Sequence, residues 1–198
     1  MEMVIYWAVF ALVLGTVLSA MYFSKKRSRK HTEKTTAKVS RLLKQMAPLR
    51  SWKVLDDVTL RDGEEEATLS HVVIGPFGVV LVQDVYQDGS IYGDLDSEEW
   101  VVSDEDSEGN SNGKIRIPNP VLSCRKAEAM FRKKLSDAKI YKISVDSVVV
   151  KTLKQVSYIT GGKGVVLSRK ELKEMLSNSK YEKDAGVQIE AIAELLKA

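Results

Sequence analysis

Side chains able to do chemistry gather between Arg61 and Glu108, where fourteen acids accompany one base. Glu64, Glu65, Glu66, Asp84, Asp94 and Glu98 are oxygen donors of the kind a hard Mg²⁺ ion takes, and a metal held by them would turn a bound water into a nucleophile. Ser70 beside His71 offers another route, a hydroxyl with an imidazole base. Position argues against both. Adjacent residues on a strand point to opposite faces, so Ser70 and His71 cannot pair, and His71 reads as a core or interface histidine. The same alternation turns Asp84 away from the face shared by Gln83 and Val85. The other acids fall in loops or at strand ends, where solvated carboxylates are the ordinary case. Gly161-Gly162-Lys163-Gly164 lacks the Gly-x-x-x-x-Gly-Lys-Ser/Thr spacing of a phosphate-cradling loop and reads as a turn. Cys124, the one cysteine, excludes an intramolecular disulfide and any multi-cysteine zinc site, and suits a reducing compartment. So acidic a segment also repels a phosphate backbone unless bound metal offsets it.

The elements that must position these groups are arranged around one turn. Leu69 to Ile74 and Val79 to Val82 are apolar, β-branched runs flanking Gly75-Pro76-Phe77-Gly78, where proline presets one φ and glycine accepts a positive one. This pattern predicts a β-hairpin. Its runs are nearly continuous, so both faces are covered and the strands belong in the middle of a sheet packed by helices. Trp52 to Leu60 predicts a strand before it, and Ile91 to Gly93 and Glu99 to Val102 predict two short ones after it. Ser103 to Gly113 holds no apolar residue and predicts a mobile acidic loop over 103–113. Asn119 as cap and Pro120 in the first turn open a helix carrying Val121, Cys124, Met130, Phe131 and Leu135. Ile143 to Val150 and Val156 to Ile159 predict further strands, the first of them near the centre of the sheet. Ser168 with Glu171 forms a capping box that opens another helix, and Val187 to Leu196 predicts the last. Strands and helices interleave throughout, which predicts an α/β (α+β) domain with one mixed central β-sheet flanked by helices.

The Gly75-Pro76-Phe77-Gly78 hairpin, the segment Gly89-Ser90-Ile91-Tyr92-Gly93-Asp94, Trp100 and Asn119-Pro120 together resemble the nuclease-related domain (NERD) family, whose fold is like that of the restriction-endonuclease superfamily. The resemblance covers residues 32–198. It implies an aspartate on the first hairpin strand and a Glu-x-Lys on the second, the two carboxylates holding Mg²⁺ and the lysine orienting the attacking water. This chain has Ser70, Gln83 and Val85 at those positions, and Ser123 breaks the family's Asn-Pro-x-x-Gln pattern. A serine hydroxyl and a glutamine amide bring no negative charge. The resemblance therefore implies a kept scaffold with no catalytic residue, no resident metal and no cofactor.

Upstream, Met3 to Phe23 is an uncharged run that as a helix would span about 30 Å, the thickness of a bilayer's hydrocarbon core. Tyr6 and Trp7 near one end and Tyr22 and Phe23 at the other fit interfacial aromatic belts. A cleaved signal peptide needs basic residues ahead of the apolar run, and this chain begins Met1-Glu2-Met3. The pattern predicts a transmembrane anchor over residues 1–24. Residues 24–50 hold ten Lys/Arg against the single acid Glu33, whereas residues 51–198 hold twenty against twenty-five acids. The basic juxtamembrane segment 25–31, with Lys25, Lys26, Arg27, Arg29 and Lys30, places the N-terminus outside and the domain in the cytosol, and can hold anionic lipid head groups. Gly15 and Ser19 form a small-xxx-small pair suited to a homodimer through the anchor. Val39, Leu42, Leu43 and Met46, set among basic residues, predict an amphipathic helix over 32–49 that packs on the sheet in preference to lipid.

The expectation is thus a single-pass, membrane-anchored, catalytically inert nuclease-related module that binds or scaffolds an unknown protein partner at the cytosolic face. The alternative is a metal-dependent nuclease acting on DNA or RNA, with Mg²⁺ on rearranged carboxylates. A third reading has the domain bind nucleic acid without cutting it through Arg125, Lys126, Arg132, Lys133 and Lys134, which are equally the solvated face of their helix.

Overall fold

The turn at Gly75-Pro76-Phe77-Gly78 joins two neighbouring antiparallel strands of a sheet. In a computed structural model of the chain, strands β1 (Lys53–Asp62), β2 (Glu65–Gly75) and β3 (Gly78–Val85) pair antiparallel in sequence order. Gly78 has a φ of 135°, and a Cβ there would lie 2.3 Å from the Ser144 carbonyl oxygen. That oxygen accepts the Val79 N–H at 2.8 Å, so the glycine lets the next segment of chain dock on the hairpin end.

The structure describes residues 37–87, 89–105, 111–153, 157–161 and 165–197. The predicted anchor over residues 1–24 and the basic segment 25–31 lie outside them. No helix among the described residues is long and apolar enough to cross a membrane. Helix α1 (37–46) runs into a 3-10 turn, Ala47–Arg50, because Pro48 has no N–H with which to continue the ladder.

After β3 come β4 (Ser90–Asp94), β5 (Glu99–Glu105) and β6 (Ser111–Pro118), then helix α2 (Pro120–Asp137). Strands β7 (Val145–Lys151), β8 (Ser157–Thr160) and β9 (Val166–Ser168) follow, with α3 (Arg169–Leu176) and α4 (Ile189–Lys197) at the end. Two sheets form where one was expected. The first has the order β1-β2-β3-β7-β9, with β7 parallel to both β3 and β9. The second has the order β6-β5-β4-β8, with β8 parallel to β4. Both are mixed and helices pack on the first, so the α/β class stands while the single central sheet does not.

The predicted loop over 103–113 is largely strand. Ser103 pairs with Lys114, Asp104 with Gly113 and Glu105 with Ser111, which leaves 106–110 outside the described residues. Backbone N–H and C=O groups hold a hairpin ladder whatever side chains they carry, so a lack of apolar residues did not prevent pairing.

Three apolar clusters hold the domain together. Val58, Leu60, Leu69, Val72 and Leu81 pack with Phe131 and Leu135 of α2 and Ile192 of α4. On the other face, Val73, Val80 and Val82 pack with Val39 and Leu43 of α1 and with Leu172 and Leu176 of α3. Both α1 residues are fully buried, so its apolar stripe faces protein, at about 1.5–3 kcal/mol of stabilisation per side chain. The third cluster, including Val85, Ile91, Trp100, Val121 and Val149, joins the second sheet to the ends of β3 and β7.

Candidate functional site

Strand alternation puts Gln83 and Val85 on the face of β3 that already carries Val79 and Leu81 against α2. Val85 is buried in the third cluster, and Gln83 Oε1 is buried with no hydrogen-bond partner among the described residues. Ser70 Oγ accepts the Asp84 N–H at 3.0 Å, just beyond the last β2–β3 ladder pair, His71↔Val82. This serine thus ties the two strands together where backbone pairing ends. A neutral hydroxyl, a neutral amide and a buried isopropyl group do not fit Mg²⁺, which takes charged oxygen ligands. Among the described residues, no group of three or more His, Cys, Asp or Glu could hold a metal ion.

The opposite face of the hairpin carries a polar cluster that alternation alone did not reveal. Val54 packs in the cluster with α1, yet Val58 and Leu60 pack in the one with α2, although even spacing along a strand keeps one face. Asp57, with a left-handed φ of 52°, lies at the change of face. Just before it, Asp56 pairs in register with His71. His71 Nδ1 lies 2.7 Å from Asp56 Oδ1, and His71 Nε2 lies 3.2 Å from Asp84 Oδ2. With both nitrogens facing carboxylates, the surroundings favour the doubly donating imidazolium form of the ring. From α1, Ser40 Oγ donates to Asp56 Oδ2 at 2.8 Å, and Lys44 donates to the same oxygen.

His71 is fully buried and Asp84 nearly so. Burial disfavours the imidazolium, but hydrogen bonding to Asp84 and its charge, followed by Asp56, outweigh this and raise the His71 pKa. For Asp56 burial pushes the other way, yet the bonds from Lys44, Ser40 and His71 hold its carboxyl below the usual range. The cluster is a charged clasp between α1 and the hairpin, buried at His71 and Asp84 and open to solvent at Lys44. Asp84, the nearest acid to the family's metal positions, is therefore committed to this clasp on the far side of the strand.

A second knot involves the other residues of the resemblance. Asn119 caps α2 through Oδ1, which accepts the Val121 N–H at 2.9 Å. Its Nδ2 donates to the carbonyls of Ser97 at 2.6 Å, Leu95 at 3.0 Å and Asp94 at 3.2 Å. Trp100 Nε1 donates to the same Asp94 carbonyl at 2.8 Å. A Cβ on Gly93 would sit 2.3 Å from Cδ1 of the buried Trp100 ring. Gly93→Ala is therefore expected to destabilise the domain by about 1–3 kcal/mol through overpacking, read as a fall in the urea midpoint with the slope unchanged.

The model of the nuclease-related domain matches residues 30–152, from ahead of α1 to the end of β7. The chain belongs to the nuclease-related domain family. No curated protein and no solved structure matches it. The four elements around which this nuclease-related domain is built, β1, β2, β3 and β7, all fall inside the matched segment.

Other residues singled out in the sequence are dispersed over the nuclease-related domain. Ser123 Oγ donates to the Asn119 carbonyl within the first turn of α2. Glu66 pairs with Arg61, and Asp94 Oδ1 accepts the Asp96 N–H at 2.9 Å. On α2, Arg125 pairs with Asp96, Lys126 with Glu65, Arg132 with Glu128 and Lys133 with Asp62. Of that predicted nucleic-acid set only Lys134 has no ion pair among the described residues, so little of the positive charge on α2 is uncompensated. Cys124 is buried against the Leu81 and Val148 carbonyls, and burial pushes its thiol up to about 12, which makes it a packing residue. Lys25, Lys26, Arg27, Arg29 and Lys30 lie outside the described residues.

Proposed function

We propose that this nuclease-related domain has given up metal-dependent phosphodiester cleavage and works as a binding or scaffold module, held at the cytosolic face of a membrane by the apolar run 3–23. The observation that carries the reading is the chemistry of Ser70, Gln83 and Val85. The serine is spent on closing the hairpin, the glutamine is a half-buried, uncharged amide whose Oε1 is buried, and the valine is part of an apolar cluster. No charged ligand is left there to hold a metal, and without one nothing at this site generates hydroxide near neutral pH or offsets developing phosphate charge. Asp84 does not substitute, because it faces the clasp with His71. The anchoring half of the proposal rests on the length of the uncharged run and on the basic segment that follows it.

Calorimetric titration of Mn²⁺ into the detergent-solubilised full chain, beside a Ser70→Asp, Gln83→Glu, Val85→Lys variant, tests the catalytic half. The expected result is heat of binding for the variant and none above dilution for the wild type. Wild-type binding as tight as the variant's would refute the reading and turn attention to Asp94 and Glu98.

A further inference from the structure

The cations of this domain are unevenly compensated. Besides the pairs on α2, Lys44 pairs with Asp56, Arg50 with Glu182, Lys53 with Glu190 and Lys180 with Asp146. Between α1 and α3 the pattern changes. A groove of about 400 Å³ there is lined by Lys38, Arg41, Arg169, Lys170 and Lys173, with no carboxylate in its lining among the described residues. Lys170 has Glu174 at 3.6 Å, but the other four have no ion pair among the described residues. The acids of α3 are otherwise engaged, since Glu171 closes the capping box with Ser168. The positive charge comes from two helices brought together by Val39, Leu43, Leu172 and Leu176 beneath it.

We propose that this groove docks the domain on the anionic head groups of a phospholipid bilayer. The proposal rests on the membrane-anchored reading, because only residues 24–36 separate the predicted span from α1, a tether of at most about 45 Å when fully extended. That tether is itself basic in sequence, and the groove carries charge of the same sign on the folded domain. A nucleic-acid duplex is the less suitable occupant. It needs cations along a track of successive phosphates, and those on α2 are mostly taken by carboxylates. A membrane needs only a local patch facing it.

The test uses the full chain with Gln45→Cys, an exposed and uncharged groove position, carrying a fluorophore. Native Cys124 is buried and stays unlabelled. In nanodiscs with about 30 mol% phosphatidylserine, a head-group quencher is expected to quench the probe; in phosphatidylcholine alone, quenching is expected to be weak. Each basic residue near an anionic surface is worth roughly fivefold, so Lys38→Gln, Arg41→Gln, Arg169→Gln and Lys173→Gln together are expected to lower the docked fraction ratio more than about tenfold. All four positions are exposed, and an unchanged thermal midpoint is expected for the combined variant. Equal quenching in the two lipids, or no loss in the variant, overturns the proposal. So does release of the probe by a DNA duplex at matched phosphate concentration, which assigns the groove to nucleic acid. Failure of the anchor reads separately, as alkaline extraction of the chain from phosphatidylcholine vesicles. A chain extracted in this way is still expected to sediment with phosphatidylserine vesicles and to lose that binding in the combined variant.

Discussion

His71→Leu is expected to lower the unfolding free energy of the domain by about 3–5 kcal/mol, because it breaks a buried ion pair by taking the imidazole away from the Asp84 carboxylate. Asp56 suffers less, since Ser40 and Lys44 still hold its other oxygen and it is partly exposed. The two aspartates can be told apart in this way. A second change, Asp84→Leu on top of His71→Leu, removes the buried carboxylate that His71 had faced and is expected to recover a large part of the loss. Urea unfolding of the two variants reads the energies, and amide exchange over 37–46 reads whether α1 loosens as the clasp opens. A single-variant loss below about 1 kcal/mol would mean the cluster is no more than an exposed ion pair.

The same clasp gives stability a defined dependence on pH. An ordinary histidine titrates near 6.5, and His71 is raised above this by Asp84 and Asp56 despite its burial. A group with a raised folded pKa contributes fully below its unfolded value and loses that contribution as pH rises through the folded value. Asp56 has the opposite sign. Its folded pKa lies below 3.8, so its contribution is present above that unfolded value and is lost as pH falls through the folded one. The thermal midpoint is expected to be highest between about pH 4 and 6.5 and to decline above that window. In His71→Leu the alkaline decline should flatten while the acid limb remains.

Much of the fold was legible because it rests on local signals. The Gly75-Pro76-Phe77-Gly78 turn, the Asn119 and Ser168 caps and the apolar stripe of α1 each reflect steric or hydrogen-bonding rules that act within a few residues. What was missed depends on pairing across the chain. The second sheet needs β8 to lie parallel to β4, and no local pattern specifies that partner. The clasp needs the register of β1 on β2 and the change of face at Asp57. Its signal was present all the same: Asp56, His71 and Asp84 are ionisable residues set among apolar strand positions, and a buried charge calls for partners. Reading His71 as a core histidine was correct as to place, but omitted the two carboxylates that make it charged. The groove was illegible for the same reason as the sheet, since α1 and α3 are distant in sequence.

Asn119→Ala is expected to cost about 3 kcal/mol, and a series at this position separates its two roles. Asn119 is 1% exposed, so neither role can pass to solvent. Its Oδ1 caps the first turn of α2, a contribution of about 1 kcal/mol. Its amide nitrogen donates to the Leu95 and Ser97 carbonyls of the β4–β5 turn and joins Trp100 Nε1 and Ser97 Oγ at the Asp94 carbonyl. Asn119→Ser keeps a cap but lacks the amide, and should lose about 2 kcal/mol. Asn119→Asp keeps the cap and sets a carboxylate against three carbonyl oxygens, so it should be no better than alanine near neutral pH and improve when the acid protonates. If serine and aspartate both behaved like the native residue, capping would explain Asn119 and the turn contacts would count for nothing. The expected order, asparagine above serine above alanine, has a consequence for the family resemblance. Asn119, Trp100 and Gly93 join the β4–β5 turn to α2 and contribute to the fold with or without a metal. Ser70, Gln83 and Val85 differ in kind, because only charge at those positions would make a metal site. A chain can therefore change the second set and still need the first to fold.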